Sequence, residues 1–380
     1  MLRTWASLEP LIVFGTLICA DLILTVLVQI PARCLLCIGR CVKRRTWPDP
    51  LEYRNFAMIW LISLVLICLR LSNYICDLSY SQYYHLIRRQ SYFTVYFLFN
   101  VIIVLDRLGS MFGADLVGRA LNPRSDFAAF ILDTIACVAY AIVHIAILYL
   151  QIITINVAVN SNRGELVIVL TSNNFSEIKG GVLKKFSVIN LFQISMGDVV
   201  ERFQTMFTIM ALVVHQLIAM DGSDVLEFGQ RITLVALWMM CTESMVDWIK
   251  HGFINRFNNI SPRVYHDFAV VLSYDYINNR SNIARRIGLI PLPIVTIILS
   301  GLIQVCQRSY PAIIEHISAL NIIVLVVLLI LTITAIKVEL ELYLSGRSLY
   351  MIERQPPTFV PEMWRGVERY KLSNKSLPVI

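Results

Sequence analysis

The sequence is short of charge. Asp, Glu, Lys and Arg make up 16% of its 380 residues, against roughly 25% in soluble domains. Hydrophobic residues reach 57%, where a soluble domain holds about 45–50% even with glycine counted. This balance excludes a disordered chain, a coiled coil and an ordinary soluble enzyme. Catalytic signatures are also missing. The chain has no G-x-S-x-G elbow, no H-E-x-x-H helix, no P-loop and no G-x-G-x-x-G turn. Each of those supplies a nucleophile, a metal pair or a phosphate cradle. Without them the expectation is a protein that is not an enzyme and takes no cofactor or metal. There is no internal repeat and no low-complexity tract. No pair of Gly/Pro-broken helices occupies matching halves, as an inverted-repeat transporter tends to show. Only Arg3 is basic before Leu11, and no A-x-A-like site follows the first apolar run. That run therefore reads as a signal anchor rather than a cleaved signal peptide.

What the chain does have is long apolar runs. A helix needs about 20 mostly apolar residues to cross a bilayer. Candidates are Leu11–Ile30, Phe56–Leu71, Phe127–Val157, Phe207–Met220, Ile232–Ile249, Ile290–Val305 and Ile317–Ile336. Several are short, so tilt or local thinning is expected. Tyr92–Leu105 is weaker and reads as re-entrant or interfacial. The first run stays apolar to about residue 38, broken by Pro31, and reads as two short helices in a hairpin, with a single span as the alternative. The expected fold is an all-α polytopic membrane protein with about 6–8 membrane segments and short loops. Residues 1–340 form its membrane domain, and 341–380 form a cytosolic tail.

The net charge is +7, and its location gives it meaning. The segments 31–55, 250–288 and 341–380 carry six Lys or Arg each, and 158–204 carries five. The segment 221–229 carries none, but holds Asp221, Asp224 and Glu227. By the positive-inside rule the basic segments face the cytosol. Charges confined to such loops suit lipid headgroups, not nucleic acid. The 158–204 connection, between the third and fourth spans, is expected to lie on the membrane as an amphipathic segment.

Ionisable groups inside apolar runs are costly and are functional candidates by default. These are Asp21 in the first run, Asp133 and His144 in the third span, His215 in the fourth, and Glu243, Asp247 and Lys250 near the end of the fifth. The last three fall on one helical face, where acid–Lys pairing is easy. Interior pairing with snorkelling at the interface competes here with a proton or ion relay. Asp247 and His251 also have ligand-like spacing, but no third metal ligand lies near them. Cys34, Cys37 and Cys41 share one face beside Lys43, Arg44 and Arg45. Such a juxtamembrane cluster is a candidate for S-palmitoylation. Inert thiols and a CxxC redox or zinc role are the alternatives. The other apolar-run cysteines read as buried thiols.

Several stretches are shared with a known family. They include Tyr84-His-Leu-Ile-Arg88, Asn100 through Asp106-Arg-Leu108, and Ser172-Asn-Asn-Phe-Ser-Glu-Ile-Lys-Gly180. Lys184-Lys-Phe186, Asn190-Leu-Phe-Gln193, Asp198 and Glu201-Arg-Phe203 follow. Asp247 to Phe253, Phe257-Asn258 and Ala284-Arg-Arg-Ile-Gly-Leu-Ile-Pro-Leu-Pro293 complete the set. Over roughly residues 8–340 the chain resembles the transmembrane anterior posterior transformation (Tapt) family. The resemblance implies a multi-pass protein of the endoplasmic reticulum membrane with no known catalytic activity. In animals it also implies the centrosome and ciliary basal body, cilium formation and developmental patterning. A fungal relative implies a role in protein quality control with a SUN-like membrane protein partner. Other members carry a long hydrophilic region ahead of the first apolar run.

The shared stretches have a physical reading of their own. Ser176 suits a helix N-cap, with Glu177 in the first turn, and Gly180-Gly181 then bends or thins the segment. Glu177, Lys179, Gly180, Lys184 and Lys185 are the candidate contacts for a partner or for lipid headgroups; a plain structural hinge is the alternative. Arg285 and Arg286, just before a span, read as positive-inside anchors or as headgroup ligands. The function these readings favour is a membrane scaffold or adaptor. The alternatives are a transporter or ion pathway using the intramembrane acids and histidines, and a receptor-like signalling protein.

Overall fold

A computed structural model describes residues 2–44, 49–76, 80–121, 127–160, 185–219, 225–316, 319–354, 364 and 367–370. Among them every regular element is helical. Apolar solvent leaves little choice: each backbone N–H and C=O must find a partner within its own segment. The helices are α1 (Leu2–Leu24), α2 (Ile30–Arg44), α3 (Pro50–Cys76), α4 (Tyr80–Arg88), α5 (Tyr92–Ala120) and α6 (Phe127–Val159). They continue as α7 (Val188–Ala219), α8 (Val225–Asn258), α9 (Val264–Asn278), α10 (Arg280–Ile287), α11 (Pro291–His316) and α12 (Ala319–Glu353). Among the described residues five helical stretches are long and apolar enough to cross a membrane: Arg3–Lys43, which runs through α1 and α2, Glu52–Leu71, Tyr92–Ala120, Ala128–Val159 and Ile232–Asn258. Pro291–Gln307 is a shorter apolar helix. The chain is an all-α polytopic membrane protein.

Local chemistry sets several boundaries. Ser91 caps α5, its side chain accepting from the Thr94 N–H. Pro291 opens α11, at the position where its missing N–H costs nothing. Gly288 ends α10 with φ +83, a left-handed conformation that glycine adopts freely.

The structure corrects several expectations. The first run is not a hairpin. A π turn at Thr25–Gln29 joins α1 to α2, and helix runs on through Pro31. The π turn absorbs the register change that the proline would otherwise force on the ladder. Tyr92–Leu105 is not a re-entrant piece but the first half of the 29-residue α5. Asp106 and Arg107 resemble a boundary in the sequence, yet both are paired within the fold. The 158–204 connection is not all a surface segment either. From Val188 it is α7, whose Leu191, Phe192, Met196 and Val199 are completely buried.

α1 is the axis of the core. Leu8, Leu11, Ile12, Phe14, Ile18 and Cys19 have essentially no exposure. They share one cluster with Leu191 and Phe192 of α7, Tyr265 and Phe268 of α9, and Leu292 and Val295 of α11. A smaller cluster joins Ile87 of α4, Val95 and Phe99 of α5, Ile153 of α6, Leu212 of α7 and Ile232 of α8. The region expected as a tail belongs in part to the core, since Leu344 and Met351 of α12, Trp364 and Val367 are all buried in the larger cluster. The outward faces carry large apolar side chains such as Phe93, Phe97, Leu234, Leu237, Leu328 and Ile330, as a lipid-facing surface requires.

Gly15 of α1 lies against Val199 of α7. A Cβ at Gly15 would stand 2.7 and 2.8 Å from the two Cγ atoms of buried Val199. A valine has no flexible end to move aside. Gly15→Ala is expected to lower stability, because overpacking costs about 1–3 kcal/mol against roughly 1 kcal/mol gained in helix propensity. Thermal unfolding checks this, and Val199→Ala on the same chain should restore the loss.

Candidate functional site

Three polar networks run through this apolar interior, each joining helices far apart in sequence. The first is centred on Asp21 of α1, whose side chain is fully buried. It accepts from Lys337 of α12, from Arg280 Nη2 at 2.6 Å and from the Tyr276 hydroxyl at 3.2 Å. Glu341, one turn beyond Lys337, accepts from Lys337 at 3.2 Å and from Arg280. The Arg280 guanidinium lies over the Tyr276 ring at 4.8 Å. Two acids thus face two bases, and α1, α9, α10 and α12 are pinned together.

The second network lies nearer the start of α1. Lys250 of α8 donates to Asp198 Oδ1 of α7 at 2.7 Å and to Asp247 Oδ1 at 3.0 Å. Arg202 donates to Asp247 Oδ2 at 3.0 Å and to Glu9 Oε1 of α1 at 2.6 Å, and the Trp248 indole N–H donates to Glu9 at 2.8 Å. His251 uses both ring nitrogens, Nε2 against Asp198 at 2.6 Å and Nδ1 against the Tyr265 hydroxyl at 2.8 Å. Tyr265 in turn donates to Asn255 Oδ1 at 3.1 Å. Burial alone would raise the Asp198 carboxyl, but Lys250 and His251 outweigh it and hold it below the usual carboxylate range. Burial pushes the Tyr265 phenol up.

The third network joins α5 to α6 and α7. His144 Nε2 meets Asp106 Oδ1 at 2.8 Å, and Nδ1 meets the Tyr140 hydroxyl at 2.7 Å. Gln204 donates to Asp106 Oδ2 at 3.1 Å. Arg107 pairs with Glu201 at 2.6 Å close by. Gly113 permits the helix approach, since a Cβ there would meet the Tyr140 oxygen at 1.9 Å. A cavity of about 10 Å³ borders His144, lined also by Ser110, Gln204 and Gly288. That is room for about one water.

The structure sorts the residues singled out in the sequence. Asp21, Asp247 and Lys250 are buried network members, and the Asp247–Lys250 pairing is the one their spacing implied. His144 is buried as well, with Asp106 as its partner. Asp133 and Glu243 are half-buried, and each interacts with neighbouring groups. His215 lies in α7, its side chain outside the described residues. Glu177, Lys179, Gly180 and Lys184 also lie outside them; Lys185 is exposed. The chain just past it is tied down by Asn258, whose Oδ1 accepts from the Phe186 N–H at 2.8 Å. Cys34 and Cys37 are buried, with Cys37 donating to Glu52 at 3.2 Å, and Cys41 is the half-buried member of the cluster. His251 turns to Asp198 rather than joining Asp247 as a ligand. No group of three or more metal-ligating side chains forms among the described residues. Arg286 is no simple anchor: it pairs with Asp275 and bonds the main chain near Trp364. Sequence reasoning missed Glu9, Arg202, Lys337 and Glu341 as network members. Lys337 and Glu341 did leave a sign, an i, i+4 pair at the end of an apolar run.

Buried cross-helix pairing of this kind needs a chain-wide match, not a local motif, to be recognised elsewhere. Residues 51–353 match the model of a eukaryotic membrane protein family. The transmembrane anterior posterior transformation protein 1 homolog of Xenopus laevis is 31% identical over 99% of this chain and 71% of its own length. The chain belongs to the Tapt family. The Caenorhabditis elegans TAPT1 homolog is 32% identical over 80% of this chain and 44% of its own length. Endoplasmic reticulum membrane protein 65 of Schizosaccharomyces pombe is 33% identical over 80% of this chain and 52% of its own. The chain thus spans from 44% to 71% of the length of these Tapt relatives. No solved structure matches it. The stretch matched by the family model contains Asp198, Arg202, Asp247, Lys250, Arg280, Lys337 and Glu341, which close both networks on α1.

Proposed function

We propose that the chain is a non-enzymatic scaffold or adaptor of the endoplasmic reticulum membrane, presenting its cytosolic face to partners around 158–204. One observation carries this reading: the buried polar groups spend themselves on each other. Asp21, Asp106, Asp198 and Asp247 each engage at least two neighbours, and the cavity bordered by His144 and Gln204 has room for about one water. A transport path needs groups that release their partners to a moving ion or substrate. Groups locked this way serve instead to hold a rigid platform. The name of the fission yeast relative supports the compartment. The family resemblance extends the reading to quality control with a SUN-like membrane protein and, for an animal chain, to the centrosome, the basal body and cilium formation. Membrane lipids are the other partner.

The test is proximity labelling from the 158–204 segment. Substituting Glu177, Lys179, Gly180, Lys184 and Lys185 is expected to lower partner recovery several-fold at unchanged protein level. Equal loss of both would make the segment purely structural. His144 at the cavity, with its partners Asp106 and Tyr140, favours the ion pathway as a second reading. Flux through the purified protein in liposomes that is abolished by Asp106→Asn would put that reading in place of the scaffold.

A further inference from the structure

The described C-terminal residues fold back into a groove between α7, α9 and α10. The Trp364 ring sits against Phe192 of α7 and Phe268 of α9, each with centroids 5.6 Å away. Those two rings meet edge to face at 5.1 Å and form the floor. Val367 is fully buried. The groove's side chains grip the main chain of its occupant. Arg286 of α10 donates to the carbonyls of Trp364 and Val367, both at 2.7 Å. Gln193 of α7 donates to the Glu368 carbonyl at 2.9 Å. Arg286 is itself aimed by an ion pair with Asp275 of α9. Beyond them Arg369 and Tyr370 lie on Gly288, where a Cβ would meet Arg369 Cδ at 2.5 Å and Tyr370 Cε2 at 2.8 Å.

This is the manner in which a groove holds a peptide. One aromatic anchor fills a pocket, and wall side chains read main-chain carbonyls. The helices of the core pack side chain on side chain instead. The walls lie inside the 51–353 family match, and the occupant lies after it. The fit is also incomplete: Arg369 Nη1 is buried without a hydrogen-bond partner, which works against the closed state.

We propose that this groove is a peptide-docking site with the chain's own Trp364 and residues 367–370 as its resident ligand. A partner segment with a tryptophan followed three residues later by a small aliphatic side chain docks there when the clasp is released. The tethered copy wins by its high effective concentration. The apparent affinity for an outside peptide therefore falls with the fraction of open groove. The proposal holds or fails whatever the 158–204 segment binds.

The experiment titrates a fluorescent peptide copying residues 361–373 into the full chain in detergent micelles. Trp364→Ala in the protein frees the groove and should tighten peptide binding by roughly tenfold or more over wild type. Adding Arg286→Ala to that chain should abolish the gain. A peptide with its tryptophan replaced by alanine should bind neither protein. Should the Trp364→Ala chain aggregate, Val367→Ala loosens the clasp by a smaller step and must give the same order of affinities. A folded, monodisperse variant that binds no more tightly than wild type overturns the proposal, as does equal binding of the peptide without tryptophan.

Discussion

Replacing Lys250 with alanine is expected to destabilise the protein by about 3–5 kcal/mol, the range for breaking a buried ion pair from one side. Lys250, Asp198 and Asp247 are each no more than 6% exposed in their side chains. The ammonium is the group that separates the two carboxylates, reaching Asp198 at 2.7 Å and Asp247 at 3.0 Å. Without it both acids remain in a low-dielectric interior. Arg202 still serves Asp247, but shares its charge with Glu9; His251 still serves Asp198. Such a loss is a large share of the roughly 5–15 kcal/mol that holds a typical domain together. Thermal unfolding in detergent measures it. Asp198→Asn added to Lys250→Ala removes the stranded charge and should recover part of the loss. A Lys250→Ala protein that melts with wild type would mean that the network does not hold α7 to α8.

The chemistry of burial explains what the sequence made legible. Apolar runs have a local period and a required length, so Phe56–Leu71, Phe127–Val157 and Ile232–Ile249 fall inside α3, α6 and α8. Asp21 and Asp247 stood out because a charge in such a run is expensive. Their partners did not stand out. Asp21 finds Lys337 across 316 residues, and His144 finds Asp106 across 38. The Asp247–Lys250 pair sits within one helical turn and was readable from spacing, while Lys337 and Glu341 left only an i, i+4 sign. Where partners were invisible, boundaries went astray. Asp106-Arg107 looked like the end of a run because nothing local announced His144 and Glu201. The start of α7 looked like a surface helix because Ile189, Phe192, Met196 and Val199 give the same amphipathic stripe whether it faces lipid headgroups or a protein core.

Asp21→Asn alone is expected to cost on the order of 3–5 kcal/mol. Lys337 is 3% exposed in its side chain and is left facing a neutral amide when Asp21 is replaced. Glu341 must then serve both Lys337 and Arg280, and it is itself nearly one-third exposed. The companion variant decides what the pair is for. Asp21→Leu with Lys337→Met replaces both ions by hydrophobic groups of similar size, and such replacements are often neutral or stabilising by about 1–4 kcal/mol. Arg280 and Glu341 still face each other in that chain. The double variant is therefore expected to be more stable than Asp21→Asn by about 2 kcal/mol or more. A double-mutant cycle on thermal unfolding reads the coupling directly. If the single losses merely add, Asp21 and Lys337 are not coupled, and α1 is held to α12 by apolar packing alone. If the double variant is stable but loses its partners in proximity labelling, the ion pair fixes how α1 sits against α12 rather than how firmly. That outcome would make the buried charges a device for specifying one arrangement of the scaffold, retained despite the cost of burying them.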